Sequence, residues 1–438
     1  MQAGPVPNRL RISDIRLHPD PARVVLRPFH LGWQASNAPQ DRAIRLVANV
    51  LALPGERAKA EYERVLADFS ARHWHIENVL DERYAQLETS LGLPAIAEGY
   101  RQRLIAAYFC HEYTYAAAAL MNPSIVPHPD QSGLEEGAVR FVLSLRAVGE
   151  GHISTIAFRE GIARPDGSFA LWPQGDIATA MRQITGEGNP PPPDTPGARA
   201  WISRDMDSTL TNSVIFPVTE QQRNGLEDLR LVRFEDDDGK AEWIGTYTAY
   251  SGQSIRSELL RTSDFKTFSL EPVEGRAGRN KGMALFPRRI DGQYMMIGRQ
   301  DGKNLYLLRS PQLDQWDDDG VLLMEPRFAW EFIQIGNCGS PVLTKAGWLV
   351  LTHGVGPMRK YALGAVLLDS ADPSKVLART PEPVLTAENS DRAGYVPNVV
   401  YTCGMMPVGE HLLIPYGISD SVVGFATIAI DDILATMA

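Results

Sequence analysis

From Asn122 to the C-terminus the chain repeats itself, and this repeat restricts the fold more than any other feature. Each copy opens with a short buried strand and continues with a second apolar strand. It closes with a third that runs into a Ser/Asp turn. The second strands align as FVLSLR (141–146), WIGTY (243–247), YMMIGR (294–299), WLVLTH (348–353) and LLIPYG (412–417). The third strands align as HISTIAFR (152–159), IRSELLRTSDF (255–265), LYLLRSPQLDQW (305–316), YALGAVLLDSADP (361–373) and VGFATIAIDDI (423–433). The later second strands begin 51 to 64 residues apart, and the first interval is longer because about 163–224 is inserted. Pro190–Pro193 and Pro196–Gly197 predict that much of this insertion is loop over one face, where loops carry function.

Five units of this size predict an all-β fold, a five-bladed β-propeller over residues 121–438. Blades arranged radially bury their faces against one another. A sandwich of hairpins is the alternative, but it does not explain similar polar endings at one place in every copy. Residues 1–40 read as an extended arm, with Pro5, Pro7, Pro19, Pro21 and Pro28 breaking any helix. Between Asp41 and Leu120 apolar residues recur at helical spacing: Ala43, Leu46, Val47 and Val50, then Tyr62, Val65 and Leu66. Leu80, Tyr84 and Leu87 follow, then Leu104, Ala107 and Tyr108. Residues 1–120 are therefore expected to form an arm and a segment of three or four helices beside the main body.

The net charge of −10 argues against nucleic acid or an anionic membrane as partner. Local basic groups can still hold a small anion. The N-terminus MQAGPVPNRLRISDIRL lacks an apolar core of signal-peptide length, and no stretch approaches the roughly 20 apolar residues that cross a bilayer. Cys110, Cys338 and Cys403 form no disulfide framework and show no metal-ligand spacing. The expectation is a reduced, cytoplasmic protein. Its N-terminal helices leave a homo-oligomer open.

In a propeller the ends of equivalent strands converge on a central channel. The second strands end on Arg146, Tyr247, Arg299, His353 and Tyr416, polar or aromatic groups where packing alone favours apolar ones. Buried charge without a partner costs several kcal/mol, about 3–5 when a pair is broken, so a shared ligand is expected. Two arginines and a histidine suit anionic oxygens or sugar hydroxyls. Asp228 in GLEDLR (225–230) sits at the start of a strand and could protonate a departing glycosidic oxygen. Glu227 is expected on the opposite side of the strand by simple alternation. His73 and His75 are placed in a helix, where i and i+2 point apart and hold no metal. The G-E-G-H run at 149–152 lacks the strand–turn–helix context of a nucleotide phosphate site.

Asn122-Pro123, GLEDLR, KGMALFPRRIDGQYMMIGR (281–299), GWLVLTHGVG (347–356), LLDSADPSKVLART (367–380), VPNVVYTCG (396–404) and YGISD (416–420) occur in order along 121–438. Together they resemble the running signatures of glycoside hydrolase family 130. The resemblance implies a five-bladed propeller that cleaves β-mannosidic bonds with inversion, using no metal or organic cofactor. Inorganic phosphate is the possible co-substrate and a small oligosaccharide the partner. It puts the general acid on Asp228, with Leu229 where the family carries proline, and lets the proton travel through a sugar hydroxyl. It puts Asn122, Arg146 and Asp420 around the mannose of the cleaved end, and Lys281, Arg299 and His353 around phosphate. Two positions depart: Gln334 stands for a lysine and Gly282 for an asparagine.

The leading expectation is phosphorolysis to mannose 1-phosphate, in which phosphate is its own nucleophile. Replacing a cation by the Gln334 amide weakens the hold on a dianion, so an inverting hydrolase is the alternative. Hydrolysis needs a second carboxylate roughly 6.5–9.5 Å from the first to activate water, with Glu227, Asp301 and Asp420 as candidates. A non-catalytic sugar-binding propeller is the third reading, and the retained Asp228 speaks against it.

Overall fold

The structure is a computed structural model, which describes residues 9–29, 39–184, 199–388 and 391–438. The chain divides into two compact units. One comprises Pro21–Tyr115 with Gly175–Ala180, and the other Met1–Asp20, Ala116–Gln174 and Met181–Ala438.

Among the described residues the first unit holds four helices: α1 (Pro39–Leu51), α2 (Gly55–Phe69), α3 (Ile76–Leu91) and α4 (Gly99–Ala107). The apolar spacing read from the sequence becomes a shared core of Val47, Val50, Tyr62, Leu80, Tyr84, Leu87 and Leu104. α3 stops at Gly92, whose φ of 62° admits the left-handed cap. The arm is not wholly irregular, because Val24–Pro28 pairs antiparallel with Cys110–Thr114. His73 and His75 are not helical, contrary to expectation. They lie in the turn between α2 and α3, where His73 is buried against Glu112 at 2.8 Å.

The second unit is mostly β. Its described strands form five antiparallel groups, each built around a long second strand. These second strands are Val139–Val148, Ala241–Tyr250, Tyr294–Gly298, Gly347–Val355 and His411–Ile418, which contain the aligned repeats except that Arg299 lies just past the end of the third. Each is flanked on both sides by partners, as in Gly347–Val355 between Gln334–Asn337 and Tyr361–Leu368. Every residue of Gly347–Val355 is buried, which is why these strands read as nearly continuous apolar runs. Arg11–Ile12 from the N-terminal arm pairs with Val422–Ala429, so the last group borrows a strand from the start of the chain. The first two groups touch through one parallel bridge, Gly225 to Ser154. Gly225 has φ 147°, and a Cβ there would lie 2.7 Å from Ser154 Cβ. Only glycine lets these backbones meet.

The insertion is more ordered than its prolines suggest. Phe169–Leu171 and Ser213–Ile215 pair with Ser154–Ala163, and Ala200–Ser203 adds to Thr267–Pro272. Pro190–Pro193 and Pro196–Gly197, expected to be loop, lie outside the described residues. Among the described residues no helix is long and apolar enough to cross a membrane.

Candidate active site

The seven residues to which the family resemblance gave a catalytic, sugar or phosphate role line one cavity of about 470 Å³ in the second unit: Asn122, Arg146, Asp228, Lys281, Arg299, His353 and Asp420. Strand ends and turns of all five antiparallel groups contribute to its wall. Two of the five aligned strand endings do not. Tyr247 and Tyr416 are core residues, and the Tyr247 hydroxyl is taken by Glu258 and Gln222 inside its own group. A polar atom at an aligned position was the right signal, but phenols satisfied it without a ligand.

One half of the cavity is built on unusual backbone. Asn122, Asp228 and Asp420 have φ of 49°, 57° and 47°. Such left-handed positions are uncommon for residues other than glycine and gather where a side chain must be aimed. Asn122 and Asp228 each sit where strand register slips, between Met121 and Ser124 and between Glu227 and Arg230. The second bulge corrects the expectation that Glu227 and Asp228 face opposite ways. Both carboxylates accept from Arg146, Glu227 Oε1 at 2.7 Å and Asp228 Oδ1 at 3.2 Å. Asp228 Oδ1 also accepts from Asn122 Nδ2. Arg146 Nε is fixed by Ser154 Oγ at 2.9 Å.

Behind Asp228 lies Arg230, buried, donating to the Asp228 carbonyl at 2.8 Å, to Cys338 O at 2.9 Å and to the Tyr401 hydroxyl at 2.6 Å. Burial pushes the Asp228 carboxyl up, but Arg146, Arg230 and Lys281 overcome this and hold it at about 2. Asp420 goes the other way. Burial, then the charge of Asp228, raise it to about 6 against Arg146 and Arg359. Burial likewise raises Glu227, opposed by Arg146. Asp228 is thus the carboxyl held ionised, while Asp420 and Glu227 are shifted toward their protonated forms.

The other half is less self-satisfied. Among the described residues, the buried atoms Arg299 Nε and His353 Nδ1 find no hydrogen-bond partner here, and in the first half Asn122 Oδ1 finds none. Burial and the neighbouring Arg299 and Arg230 keep His353 neutral, well below the usual imidazole range. It stacks on Tyr361 and meets Tyr401 edge-on. Gly336 lets the pair approach: a Cβ there would lie 2.3 Å from His353 Cε1 and 2.7 Å from Arg299 Cδ. Gly282, with φ 83°, backs the same guanidinium, where an added Cβ would lie 3.1 Å from Nε. Gln334 lines this cavity as an uncharged amide.

Of the three candidate bases only Asp420 lines the cavity; Glu227 is tied to Arg146. Asp301 accepts from Lys303 N, Asn304 N and the Tyr306 hydroxyl in its own turn. Sequence reasoning missed Arg359, Tyr361 and Tyr401, which also line the cavity. Arg359 follows Met358 in a turn where both have φ 56°, a conformation that G-V-G-P-M-R does not announce. Arg230 stood in GLEDLR and was passed over beside the two acids.

The family profile described as beta-1,4-mannooligosaccharide phosphorylase matches residues 206–438. A 1,2-beta-oligomannan phosphorylase of Thermoanaerobacter sp. (strain X514) is 35% identical over 232 residues, covering 51% of this chain and 75% of the relative. A beta-1,2-mannobiose phosphorylase of Listeria innocua serovar 6a is 29% identical over 228 residues, 50% of this chain and 62% of the relative. A crystal structure of a glycosyl hydrolase from Bacteroides ovatus superimposes with a TM-score of 0.51 at 19% identity, over 73% of this chain and 86% of that one. At that identity the likeness speaks for the fold alone.

Proposed function

This chain belongs to glycoside hydrolase family 130, and from that membership we propose that it is an inverting phosphorylase of β-mannosides that releases mannose 1-phosphate. The observation that carries the reading is the single cavity where an acid, a polar corner and two cations with an imidazole meet, Arg299 and His353 each having one buried nitrogen without a partner among the described residues. The five antiparallel groups are proposed to close into a five-bladed propeller, which accounts for the convergence of residues as distant in sequence as Asn122 and Asp420. β-1,2-Linked mannosides are the first substrates to try, because the relative with 35% identity carries that linkage in its name.

In the proposed reaction Asn122, Arg146 and Asp420 hold the terminal mannose. Lys281, Arg299 and His353 hold phosphate, the two cations by charge and the neutral imidazole by hydrogen bonding. A phosphate oxygen forms a bond to the anomeric carbon as the bond to the leaving oxygen breaks, and that oxygen takes the proton of Asp228 through a sugar hydroxyl. Asp228 ends as a carboxylate and regains its proton from solvent. No metal or organic cofactor enters this chemistry. The cations that keep Asp228 ionised include Lys281, so a phosphate dianion on Lys281 offsets part of their field. Phosphate binding thereby arms the acid.

Gln334 favours a second reading, inverting hydrolysis, in which Asp420 would activate water. Turnover of β-1,2-mannobiose with and without inorganic phosphate separates the two. Mannose 1-phosphate formed only with phosphate supports phosphorolysis; free mannose at the same rate without it overturns that reading.

A further inference from the structure

The insertion helps to build a second cavity in the same unit, and the proposed chemistry uses none of it. This cavity holds about 620 Å³, a volume that suits a small ligand. Trp172 and Arg204 reach it from the insertion, His128 from the end of Ala119–Pro127 and Glu160 from Ser154–Ala163. Asp264 and Lys266 come from the Ser/Asp turn that follows Ile255–Thr262. The cavity lies at the other end of the strands from the active site. Ser154 begins its strand by fixing Arg146, whereas Glu160 on the same strand lines the second cavity. At roughly 3.3 Å per residue these two positions are about 20 Å apart.

The wall of this cavity is prepared for hydroxyl groups. Glu160 is buried, and its Oε2 accepts from Thr211 Oγ1 at 2.9 Å. Its Oε1 stands 3.6 Å from His128 Nε2, too far for a direct hydrogen bond and a gap that one ligand hydroxyl can bridge. Asp130 N holds the imidazole from behind, donating to His128 Nδ1 at 2.9 Å. Arg204 Nη1 is anchored on the Ser208 carbonyl. The Arg140 guanidinium lies 5.4 Å from the centre of the Trp172 ring and steadies it. Arg140 is itself fixed by Asp130 Oδ2 at 2.5 Å and Ser132 O at 3.1 Å. The charges favour a neutral ligand. Asp130, Glu160 and Asp264 oppose an anion, while Arg204 and Lys266 oppose a cation. Donors and acceptors of both kinds around an indole ring suit the hydroxyls and the apolar ring face of a sugar.

We propose that this cavity is a second carbohydrate-binding site, which holds a β-mannoside chain without cutting it. That the sugar is a mannoside rests on the proposed function. Being about 20 Å along the strands from the reacting bond, the site anchors the protein on a longer glycan and leaves the active site open.

Asp228→Asn, which is expected to bind sugar without cutting it, is titrated calorimetrically with β-1,2-mannotetraose. A binding component is expected that Trp172→Ala and Glu160→Gln, added singly, weaken at least about ten-fold. Asn122→Ala, added instead, leaves that component intact. Glu160→Gln keeps the shape of its side chain and serves if Trp172→Ala unfolds. With Asp228 restored, both substitutions are expected to leave kcat/KM on β-1,2-mannobiose within about two-fold. Absence of a component with this pattern overturns the inference, as does an equal fall in kcat/KM. A protein that shows the pattern yet cleaves no β-mannoside overturns the proposed function and leaves the second site in place.

Discussion

The two halves of the cavity are finished to different degrees. The sugar half is tied together: Asn122, Arg146, Glu227 and Asp228 are joined by direct hydrogen bonds, with Asn122 Oδ1 left over, and the backbone is bent at three positions to bring its groups inward. The anion half holds Arg299 and His353 against the bare Gly336 and leaves a buried nitrogen of each without a partner. A preformed network aims a proton donor, whereas unpaired donors wait for an anion to complete them. The difference teaches that the acid is built in but held ionised, and that the missing element is a negative charge on the other side.

Asp228→Asn breaks this division most severely. It keeps the shape and removes the proton, so kcat should fall about a thousand-fold with little change in KM for phosphate. Steady-state rates on mannobiose check this. Gly336→Ala should damage the anion half alone, since the added carbon would overlap His353 and Arg299. KM for phosphate should rise about ten-fold or more, while inhibition by free mannose is unchanged. If mannose inhibition weakens equally, the halves are not separable.

Gln334→Lys sharpens the comparison from the other direction. A cation added beside Arg299 and Lys281 should lower KM for phosphate about three- to ten-fold. Asp420→Asn gives the smallest effect, and its sign depends on pH. The Asp420 carboxyl rises from 3.8 to about 6 on folding. Its contribution to stability is therefore present below 3.8 and lost as pH rises through 6, where a buried charge faces Asp228. The variant should be less active, yet gain about 1–3 °C in Tm over the wild type at pH 8 and lose about half of that gain at pH 5. Thermal scans at both pH values decide it.

Much of this architecture was legible because period and polarity survive in a linear string. The repeat placed every second strand, since strands covered on both sides must be apolar throughout. The helical spacing of Val47, Leu80 and Leu104 marked a separate core. What alternation could not reveal was the bulge at Asp228, which turns two adjacent carboxylates toward one arginine. Left-handed backbone at Asn122, Arg359 and Asp420 was equally silent, because none is the glycine that usually signals it. Tyr247 and Tyr416 were misplaced for the opposite reason: a phenol at a strand end fits both a channel and a core.

The most direct measurement is calorimetric titration of the sugar-free protein with inorganic phosphate. The account expects saturable binding at one site, weakened at least about ten-fold by Arg299→Ala and left intact by Asn122→Ala. Absence of saturable binding, or equal loss in both variants, would contradict an anion site that stands apart from the hydrogen-bonded sugar site.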